Sequence, residues 1–343
     1  MFVKNKNLKG EVIRLNQKLT INDIAKMSGV AKSTVSRYLN GGSVRNVTAQ
    51  KIKKVIEENN YEPNVFARLN AKESRIIGLT VPGFNSVTTP RLVEAIVDYL
   101  KKNGYTPLIM DTENDIGEEI RCIERLKNMN VDGIMVLATK ITEQYEQTLK
   151  RLEIPILFLG QRFKGQNSII NDDYNAGYAV GRYIGNRRFN EVYMLWVSEE
   201  DQAVGVERRQ GVIDGLSSCG IKPKNIIETT FFYNDAVDNI RKFADRIQKP
   251  AAIVCATDRI AFGVYKVMLE RGISIPDEVS VVGFGNYETG ELVHPPLTTV
   301  KFDWKNWGEI SAEAMIQMIL EKPVGSLQIN PYELIERKSV IEK

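Results

Sequence analysis

The chain has 343 residues, 43% of them hydrophobic, and a formal net charge of +3, and this length predicts two or three domains with buried cores. No apolar run approaches the roughly 20 residues of a membrane helix, and residues 1–17 lack the apolar segment of a signal peptide. The three cysteines, Cys122, Cys219 and Cys255, are odd in number and far apart, which argues against a disulfide framework. Reduced thiols and a cytoplasmic location are therefore expected.

Charge is distributed unevenly along the chain. Residues 1–74 contain 14 Lys and Arg against 6 Asp and Glu, a net charge of +8, whereas the remaining residues contain 32 basic and 37 acidic residues, a net charge of −5. A basic segment of this kind attracts a polyanion without reading its sequence. The alternative is a solvated charged tail, which the apolar periodicity of the same segment disfavours.

Residues 20–40 predict two short amphipathic helices joined by a tight turn. Thr20 is expected to cap the first helix with Asp23 in its first turn, and Gly29 supplies the positive φ that a sharp helix end requires. The apolar residues recur at helical spacing, and they are Ile21, Ile24, Ala25, Val30, Val35 and Leu39. The two helices therefore meet at an angle around a small core.

The second of these helices presents a polar face without an acidic residue. Short hydrogen-bonding side chains and cations of this kind suit phosphates and base edges in the DNA major groove. They are Lys32, Ser33, Thr34, Ser36 and Arg37. An ordinary helical hairpin with a solvated face is the alternative interpretation.

The chain continues with a third helix that Thr48 is expected to cap, which gives an α-helical helix-turn-helix headpiece over residues 18–62 behind an N-terminal extension at 1–17. Pro63 interrupts the helical pattern. Asn64 could then cap a short helix within a 63–74 hinge segment, although a plain interdomain linker fits the composition equally well. So short a helix needs outside contacts to be stable.

From residue 75 onward, buried strand patterns alternate with amphipathic helices, which predicts parallel sheets with right-handed crossovers. More than eight strands favour an α/β core of two doubly wound lobes, with ligands bound at the carboxyl ends of strands in the cleft between them. The expected strands are Ile76–Val81, Thr106–Met110, Gly133–Leu137, Ile154–Leu159, Glu191–Val197, Ile226–Thr230, Ala251–Ala256 and Val279–Phe284.

Signals of catalysis are weak. The single histidine, His294, precedes Pro295 and Pro296 and gives no centre for a triad or a metal site. No cysteine pair has metal-ligand spacing, and no dinucleotide or Walker motif is complete. The pair Asp172 and Asp173 could serve acid–base chemistry, but a strand-end carboxylate is more simply an acceptor for ligand hydroxyls or a helix cap. An enzyme with a cofactor or metal is therefore not expected.

Several segments in fixed order resemble the lactose-repressor/galactose-repressor (LacI/GalR) family of bacterial transcription regulators. They are LTINDIAKMSGVAKSTVSRYLN, YEPN, VDGIM, NDDYNAG, ERRQG, ATDRIAFG, IPDEVSVVGFG and HPPLTTV. The resemblance extends from about Leu19 to near the C-terminus. It implies a homodimer on a pseudo-palindromic operator and a core of the periplasmic-binding-protein type.

This resemblance implies two sets of binding residues. In the DNA-binding set, Lys32 and Ser33 read bases and Ala67 and Arg68 lie in the minor groove. The whole set is Thr20, Lys32, Ser33, Thr34, Ser36, Arg37, Asn40, Asn64, Ala67, Arg68 and Leu69. The effector-binding set is Asp172, Arg208, Tyr233, Thr257, Asp258, Asn286 and Trp304. The implied lobes are residues 75–175 with 304–331 and residues 176–303 with 332–343.

The chain departs from the family pattern in three places. The hinge leucine is Leu69, one residue early, with Asn70 in its place. The usual aspartate after Gly283-Phe284 is Gly285, so Asn286 is expected to take over its sugar contacts. No leucine heptad follows the core, and a tetramerisation element is not expected. Trp304, Trp307 and the aromatic run Phe231, Phe232 and Tyr233 are candidates for stacking on a sugar ring, or for core packing.

The resulting expectation is a cytoplasmic, nucleoid-associated repressor of a carbohydrate-utilisation operon. A small sugar or sugar phosphate in the interlobe cleft would control operator affinity by allostery. The stretch from Gly283 to Trp304 resembles regulators of disaccharide utilisation, with sucrose favoured ahead of trehalose. The alternatives are control by a protein corepressor and a soluble sugar-binding protein without DNA function.

Overall fold

The structure is a computed structural model. It describes residues 19–39, 42–59, 61, 73–138, 143–149, 152–187, 189 and 191–342. Two compact units divide the chain, residues 1–72 and 73–343. The extension at 1–17, the predicted hinge helix and five predicted DNA-binding residues lie outside the described residues. Those five are Asn40, Asn64, Ala67, Arg68 and Leu69.

The first unit contains three helices, α1 (Ile21–Ser28), α2 (Lys32–Leu39) and α3 (Asn46–Glu58). Ile24, Val35 and Ile52, one from each helix, have no exposed surface and form the centre of its core. The predicted helix pair is confirmed, because the apolar spacing of α1 and α2 places both apolar faces on this core.

The ends of these helices test the predicted caps. The Thr20 hydroxyl accepts a hydrogen bond from the Asp23 amide at 3.4 Å and donates to the Asp23 carboxylate at 2.7 Å, and the Thr20 amide donates to the same carboxylate at 2.9 Å. The two hydrogen bonds to the carboxylate lower the pKa of Asp23. Gly29 ends α1 at φ 65°. The prediction for Thr48 is wrong, because α3 begins two residues earlier and the Arg45 carbonyl accepts from the amides of its first turn.

The second unit consists of two lobes, each built on a six-stranded sheet, which confirms the predicted fold class. The first lobe contains β1 (Ile76–Val81), α4 (Thr88–Lys102), β2 (Thr106–Asp111), α5 (Ile116–Asn128), β3 (Gly133–Leu137), α6 (Glu143–Leu149), β4 (Ile156–Leu159), β5 (Asn167–Asn171), α12 (Trp304–Ile319) and β11 (Leu327–Asn330). The second contains α7 (Asp173–Gly185), β6 (Glu191–Trp196), a π-helix (Gln202–Arg208), α8 (Arg209–Ser217), β7 (Asn225–Glu228), α9 (Tyr233–Phe243), β8 (Ala251–Cys255), α10 (Asp258–Glu270), β9 (Val279–Phe284), α11 (Thr289–Leu292), β10 (Thr298–Phe302) and β12 (Tyr332–Ile335).

Strand order in the first sheet is β11-β5-β4-β3-β1-β2, and every pair is parallel. The second sheet has the order β12-β10-β9-β8-β6-β7, and it is parallel except for β12, which runs antiparallel to β10. Within the two described sheets the predicted parallel pairing is present, and β12 is the one antiparallel strand. This edge strand enters the sheet directly from the first lobe, without a crossover helix that would reverse its direction.

The chain passes between the lobes three times, at Asp172 after β5, at Asp303 after β10 and at Pro331 after β11. Each passage leaves a strand at its carboxyl end, so the carboxyl edges of both sheets face the space between the lobes. In open α/β sheets this edge is where ligands bind. Among the described residues, no helix is long and apolar enough to cross a bilayer, and no group of three potential metal ligands occurs.

Candidate nucleic-acid interface and effector site

The predicted DNA-reading face lies on one side of α2. Lys32, Ser33 and Arg37 are exposed, whereas Thr34 and Ser36 are half-buried, and Val35 points into the headpiece core. The exposed part of the predicted face is therefore narrower than the sequence indicated. It still contains both cations and the first two positions of the helix, and α2 has no acidic residue in its first turn.

The chain after α2 supports the position of Arg37. The Gly42 amide donates to the Arg37 carbonyl at 2.8 Å, and a Cβ added at Gly42 would lie 2.6 Å from the Arg37 Cγ. The aliphatic stem of Arg37 thus packs against a residue without a side chain. Its guanidinium can then extend from the helix end. Thr20 is exposed, but its hydroxyl already takes part in the cap of α1.

Six of the seven predicted effector residues lie at the carboxyl edge of the second sheet. Tyr233 follows β7, Arg208 follows β6 at the end of the π-helix, Thr257 and Asp258 follow β8, Asn286 follows β9 and Trp304 follows β10. The seventh, Asp172, follows β5 of the first sheet at a passage between the lobes. The fold therefore brings residues that are up to 132 positions apart in the sequence to the strand ends that face the space between the lobes.

Arg208 is the centre of this edge. Its Nε donates to the Asp173 carboxylate and its Nη1 donates to the Ala256 carbonyl, both at 2.8 Å. Its guanidinium carbon lies 4.8 Å from the Phe284 ring centroid, and the residue is only 6% exposed. Burial raises the pKa of Asp173 to about 6, against the opposing attraction of Arg208. Arg208 is thus held rigidly before any ligand arrives.

The carboxylate that binds Arg208 belongs to Asp173, the neighbour of the predicted effector residue Asp172. Asp172 is half-buried, and its carboxylate accepts from the Asn175 side-chain NH₂ at 2.9 Å. Both residues are aspartates at the start of one helix, and only the rotation of α7 decides which of them faces Arg208. The sequence did not predict that Asp173 contacts Arg208. Its position next to Asp172 was the sole feature that pointed to this part of the site.

Close helix packing brings Arg208 to Asp173. A Cβ on Gly177, one turn beyond Asp173, would lie 2.2 Å from the Arg208 carbonyl oxygen, and a Cβ on Gly205 would lie 2.0 Å from the Ser198 carbonyl oxygen. Only glycine permits such an approach of two backbones. The π-helix that ends at Arg208 is a rare element that often marks functional sites, and its N-cap is the Asp201 side chain.

Thr257 and Asp258 make structural contacts at the same edge. The Thr257 hydroxyl accepts from the Ile260 amide and caps α10. Asp258 has no exposed surface, and its carboxylate accepts from the Tyr287 amide at 2.8 Å and from the Thr299 hydroxyl. Burial raises the pKa of Asp258 to about 6, while these two hydrogen bonds lower it. The two residues therefore connect β8 to the loop that follows β9.

That loop explains the departure at Gly285. A Cβ there would lie 2.4 Å from the Tyr287 ring, and the backbone φ of 135° disfavours any other residue. Asn286, at φ 48°, accepts from the Arg337 guanidinium at 2.8 Å through its side-chain oxygen. Its side-chain oxygen is therefore engaged within the protein, and its NH₂ group can donate a hydrogen bond where an aspartate could only accept one.

The aromatic candidates separate into two groups. Trp307 is 4% exposed and belongs to the core of the first lobe. Trp304 is half-buried, packs on Phe302 at 5.8 Å between ring centroids, and lines an interlobe groove of 620 Å³ together with Asn286. Phe231, Phe232 and Tyr233 are 40%, 56% and 38% exposed, so these rings are accessible for stacking.

Several charged residues near this edge interact with residues of the opposite lobe. Burial raises the pKa of Glu207, whereas the charge of Arg162 in the first lobe lowers it and Asp172 raises it. Arg91 of α4 forms an ion pair with Glu288 of the second lobe at 3.2 Å. Sequence reasoning missed Arg162, Glu207 and Arg91, because no local pattern indicates which charged residues face each other across a cleft.

Comparison with known proteins decides the family. Residues 20–64 match the model "Bacterial regulatory proteins, lacI family" and residues 182–340 match a periplasmic binding protein-like domain. The chain is 34% identical over 323 residues to the sucrose operon repressor of Staphylococcus xylosus, a match that covers 94% of this chain and 97% of that protein. The chain belongs to the lacI family. As a lacI-family protein it is a DNA-binding transcriptional repressor and not an enzyme, and repression of bacterial genes implies the cytoplasm.

Other lacI-family relatives agree with this assignment. The chain is 30% identical over 330 residues to the HTH-type transcriptional repressor PurR of Vibrio atlanticus, covering 94% of this chain and 98% of that one. The fold matches the lac repressor dimer bound to operator and the anti-inducer ONPF, with a TM-score of 0.86, 23% identity and coverage of 95% and 100%. It also matches a CelR–cellobiose complex, with a TM-score of 0.71, 22% identity and coverage of 94% and 99%.

Proposed function

We propose that this protein is a homodimeric, nucleoid-associated repressor of a carbohydrate-utilisation operon, released from a pseudo-palindromic operator by a small sugar or sugar phosphate. The observation that carries the proposal is the pairing of two sites in one chain. An acid-free face of α2 presents Lys32, Ser33 and Arg37, and a cleft edge holds Arg208 rigidly among hydrogen-bonding groups.

The DNA-binding step uses α2 as a recognition helix. Lys32 and Ser33 at its start contact base edges, and Arg37 with the half-buried Thr34 and Ser36 contacts bases or phosphates. Thr20, at the capped start of α1, is placed for a phosphate, because helix N-termini bind anions. A homodimer supplies two such helices, which matches two-fold symmetry in an operator. The relative crystallised with operator is described as a dimer.

The effector step uses the cleft edge. Arg208 donates three of its five N–H groups to Asp173 and Ala256. The other two N–H groups are available to the vicinal hydroxyls or the phosphate of a ligand. Asn286 offers a donor, Asp172 offers a carboxylate acceptor, and Tyr233 and Trp304 offer aromatic faces to a sugar ring. Thr257 and Asp258 hold the strand ends in place.

Allosteric control follows from the two-lobed cleft. A ligand that contacts both lobes favours one relative placement of the lobes over another. By linkage, it changes operator affinity only as far as its affinities for the two arrangements differ. The name of the S. xylosus relative supports sucrose as the first compound to examine, with trehalose second.

The direct test is fluorescence anisotropy of labelled operator DNA, selected from the region upstream of the protein's own gene. The purified protein is titrated in the presence of sucrose, trehalose, their 6-phosphates and lactose. The proposal expects tight binding that falls with rising salt, since phosphate neutralisation releases counterions, and at least a tenfold loss of affinity with one of these compounds. Binding that none of them shifts, but that a protein from the same cell does, would support a protein corepressor instead.

A further inference from the structure

Three buried or half-buried asparagines meet where the chain passes between the lobes. The Asn330 side-chain NH₂ donates to the Asn171 side-chain oxygen at 2.9 Å, and the Asn306 side-chain NH₂ donates to the Asn330 side-chain oxygen at 3.2 Å. Asn330 has no exposed surface and Asn171 is 7% exposed. We call this chain of amides the asparagine clasp.

Each member of the clasp belongs to a different passage. Asn171 ends β5 directly before the passage at Asp172, Asn330 ends β11 directly before Pro331, and Asn306 lies in the first turn of α12, three residues after Asp303. Backbone contacts strengthen the arrangement, because the Asp172 amide donates to the Asn330 carbonyl at 3.1 Å and the Asp303 carboxylate accepts from the Asn306 amide at 3.0 Å.

The side-chain amide of the central asparagine, Asn330, has a hydrogen-bond partner at both its oxygen and its nitrogen. The Asn330 amide oxygen accepts and its nitrogen donates inside the protein, which is what a buried amide needs to avoid a large desolvation cost. Because chains of hydrogen bonds in a low-dielectric interior reinforce one another, loss of one end weakens the whole chain. Asn330 and Asn171 are also paired across β11 and β5.

We propose that the asparagine clasp is the positioning element of the interlobe hinge, which makes the three passages pivot as one unit at Asp172, Asp303 and Pro331. Any change in lobe placement must bend the chain at these points, since they are where it leaves one sheet for the other. A clasp on the first-lobe side confines the bending to the residues just beyond it. The proposal does not depend on which compound the cleft binds.

The test is hydrogen exchange under native conditions on Asn306→Ala and on a matched control, Asn167→Ala. Asn306 is half-buried, so its truncation leaves the fold in place. Asn167 joins the same two strand regions at their other end, where its NH₂ donates to the Gly325 carbonyl at 3.1 Å. Asn306→Ala loses one side-chain hydrogen bond, and Asn167→Ala loses the bond to Gly325 and a longer one to the Val324 carbonyl at 3.4 Å. Only Asn306→Ala opens the clasp.

For Asn306→Ala, amide exchange is expected to be about tenfold faster in three segments, residues 172–175, 304–308 and 332–335. This is the effect expected when a cooperatively opening unit loses one buried hydrogen bond. Exchange in β1 and β8 is expected to stay unchanged. The control is expected to speed exchange near residues 167 and 325 alone. Faster exchange confined to 304–308, an even increase over the whole core, or no increase at all would each overturn the proposal.

Discussion

The headpiece and the proposed effector cleft position their candidate binding residues in opposite ways. The headpiece presents Lys32, Ser33 and Arg37 on one eight-residue helix whose register is set by local apolar spacing. The cleft assembles its residues from the ends of six strands, and four of the hydrogen bonds there join residues 29 to 48 positions apart. Changes on α2 should therefore alter binding without altering stability, whereas changes in the cleft should alter both.

The largest effect is expected for Arg208→Ala. It leaves the buried Asp173 carboxylate without its counter-charge, which costs about 3–5 kcal/mol of unfolding free energy in comparable buried pairs. Urea unfolding of the core at pH 8 measures this loss. The penalty should shrink as pH falls toward 6, because loss of Arg208 removes the attraction that opposes burial, and the pKa of Asp173 then rises above its value of about 6. An unchanged midpoint at pH 8 would show that Arg208 and Asp173 do not depend on each other.

A smaller effect concerns the pH dependence of the core through Asp258. Its pKa in the folded protein, about 6, lies above the ordinary 3.8, so the folded state binds the proton more tightly than the unfolded state. Protonated Asp258 therefore contributes up to about 3 kcal/mol to the free energy of unfolding. This contribution is fully present below about pH 4 and is lost as pH rises through 6. Asp258→Asn should remove this decline. Parallel pH profiles of unfolding free energy for both proteins would contradict the assignment.

A change in the headpiece is expected to act on DNA alone. Arg37→Ala should weaken operator binding about tenfold or more, because a phosphate or base contact contributes roughly 1–3 kcal/mol, and it should leave core stability unchanged. Lys54→Ala is the matched control, since Lys54 lies on α3 and pairs with Glu58 at 3.7 Å. Equal losses for the two variants would indicate a general charge effect in place of recognition by α2.

The smallest effect is expected at the start of α1. Thr20→Ala removes the side-chain cap, worth about 1 kcal/mol, and amide exchange in the first turn of α1 should become about fivefold faster. Thr20→Ser keeps the hydroxyl and should restore most of the protection. If the serine variant exchanges as fast as the alanine variant, the threonine methyl group and not the cap stabilises this turn.

The same contrast explains how far the sequence could predict the structure. The bounds of β1, β3 and β9 were predicted correctly, because each is a buried apolar run. The strands β5, β10, β11 and β12 were missed, because residues such as Asn167, Ser168, Thr298 and Thr299 interrupt the apolar pattern. Their places follow from pairing with distant strands and not from local spacing.

The site could be predicted only in outline. Strand ends and motif order predicted that these residues lie at one edge of the sheet, where the structure places them, but which of Asp172 and Asp173 contacts Arg208 depends on the rotation of α7 against α8. Long-range packing also decides that Asn286 contacts Arg337. It likewise decides that the Tyr287 ring fills the space beside Gly285. The asparagine clasp likewise joins residues 159 positions apart, a distance at which no sequence pattern applies.

The central claim, that a ligand in the cleft controls DNA reading by α2, is tested most directly by operator anisotropy on Arg208→Lys. This variant keeps a positive charge beside Asp173 but loses the planar fork of donors. We predict operator affinity equal to that of the unmodified protein without sugar, together with at least a tenfold higher concentration of the releasing sugar for half-maximal release. Release at an unchanged sugar concentration would contradict the claim.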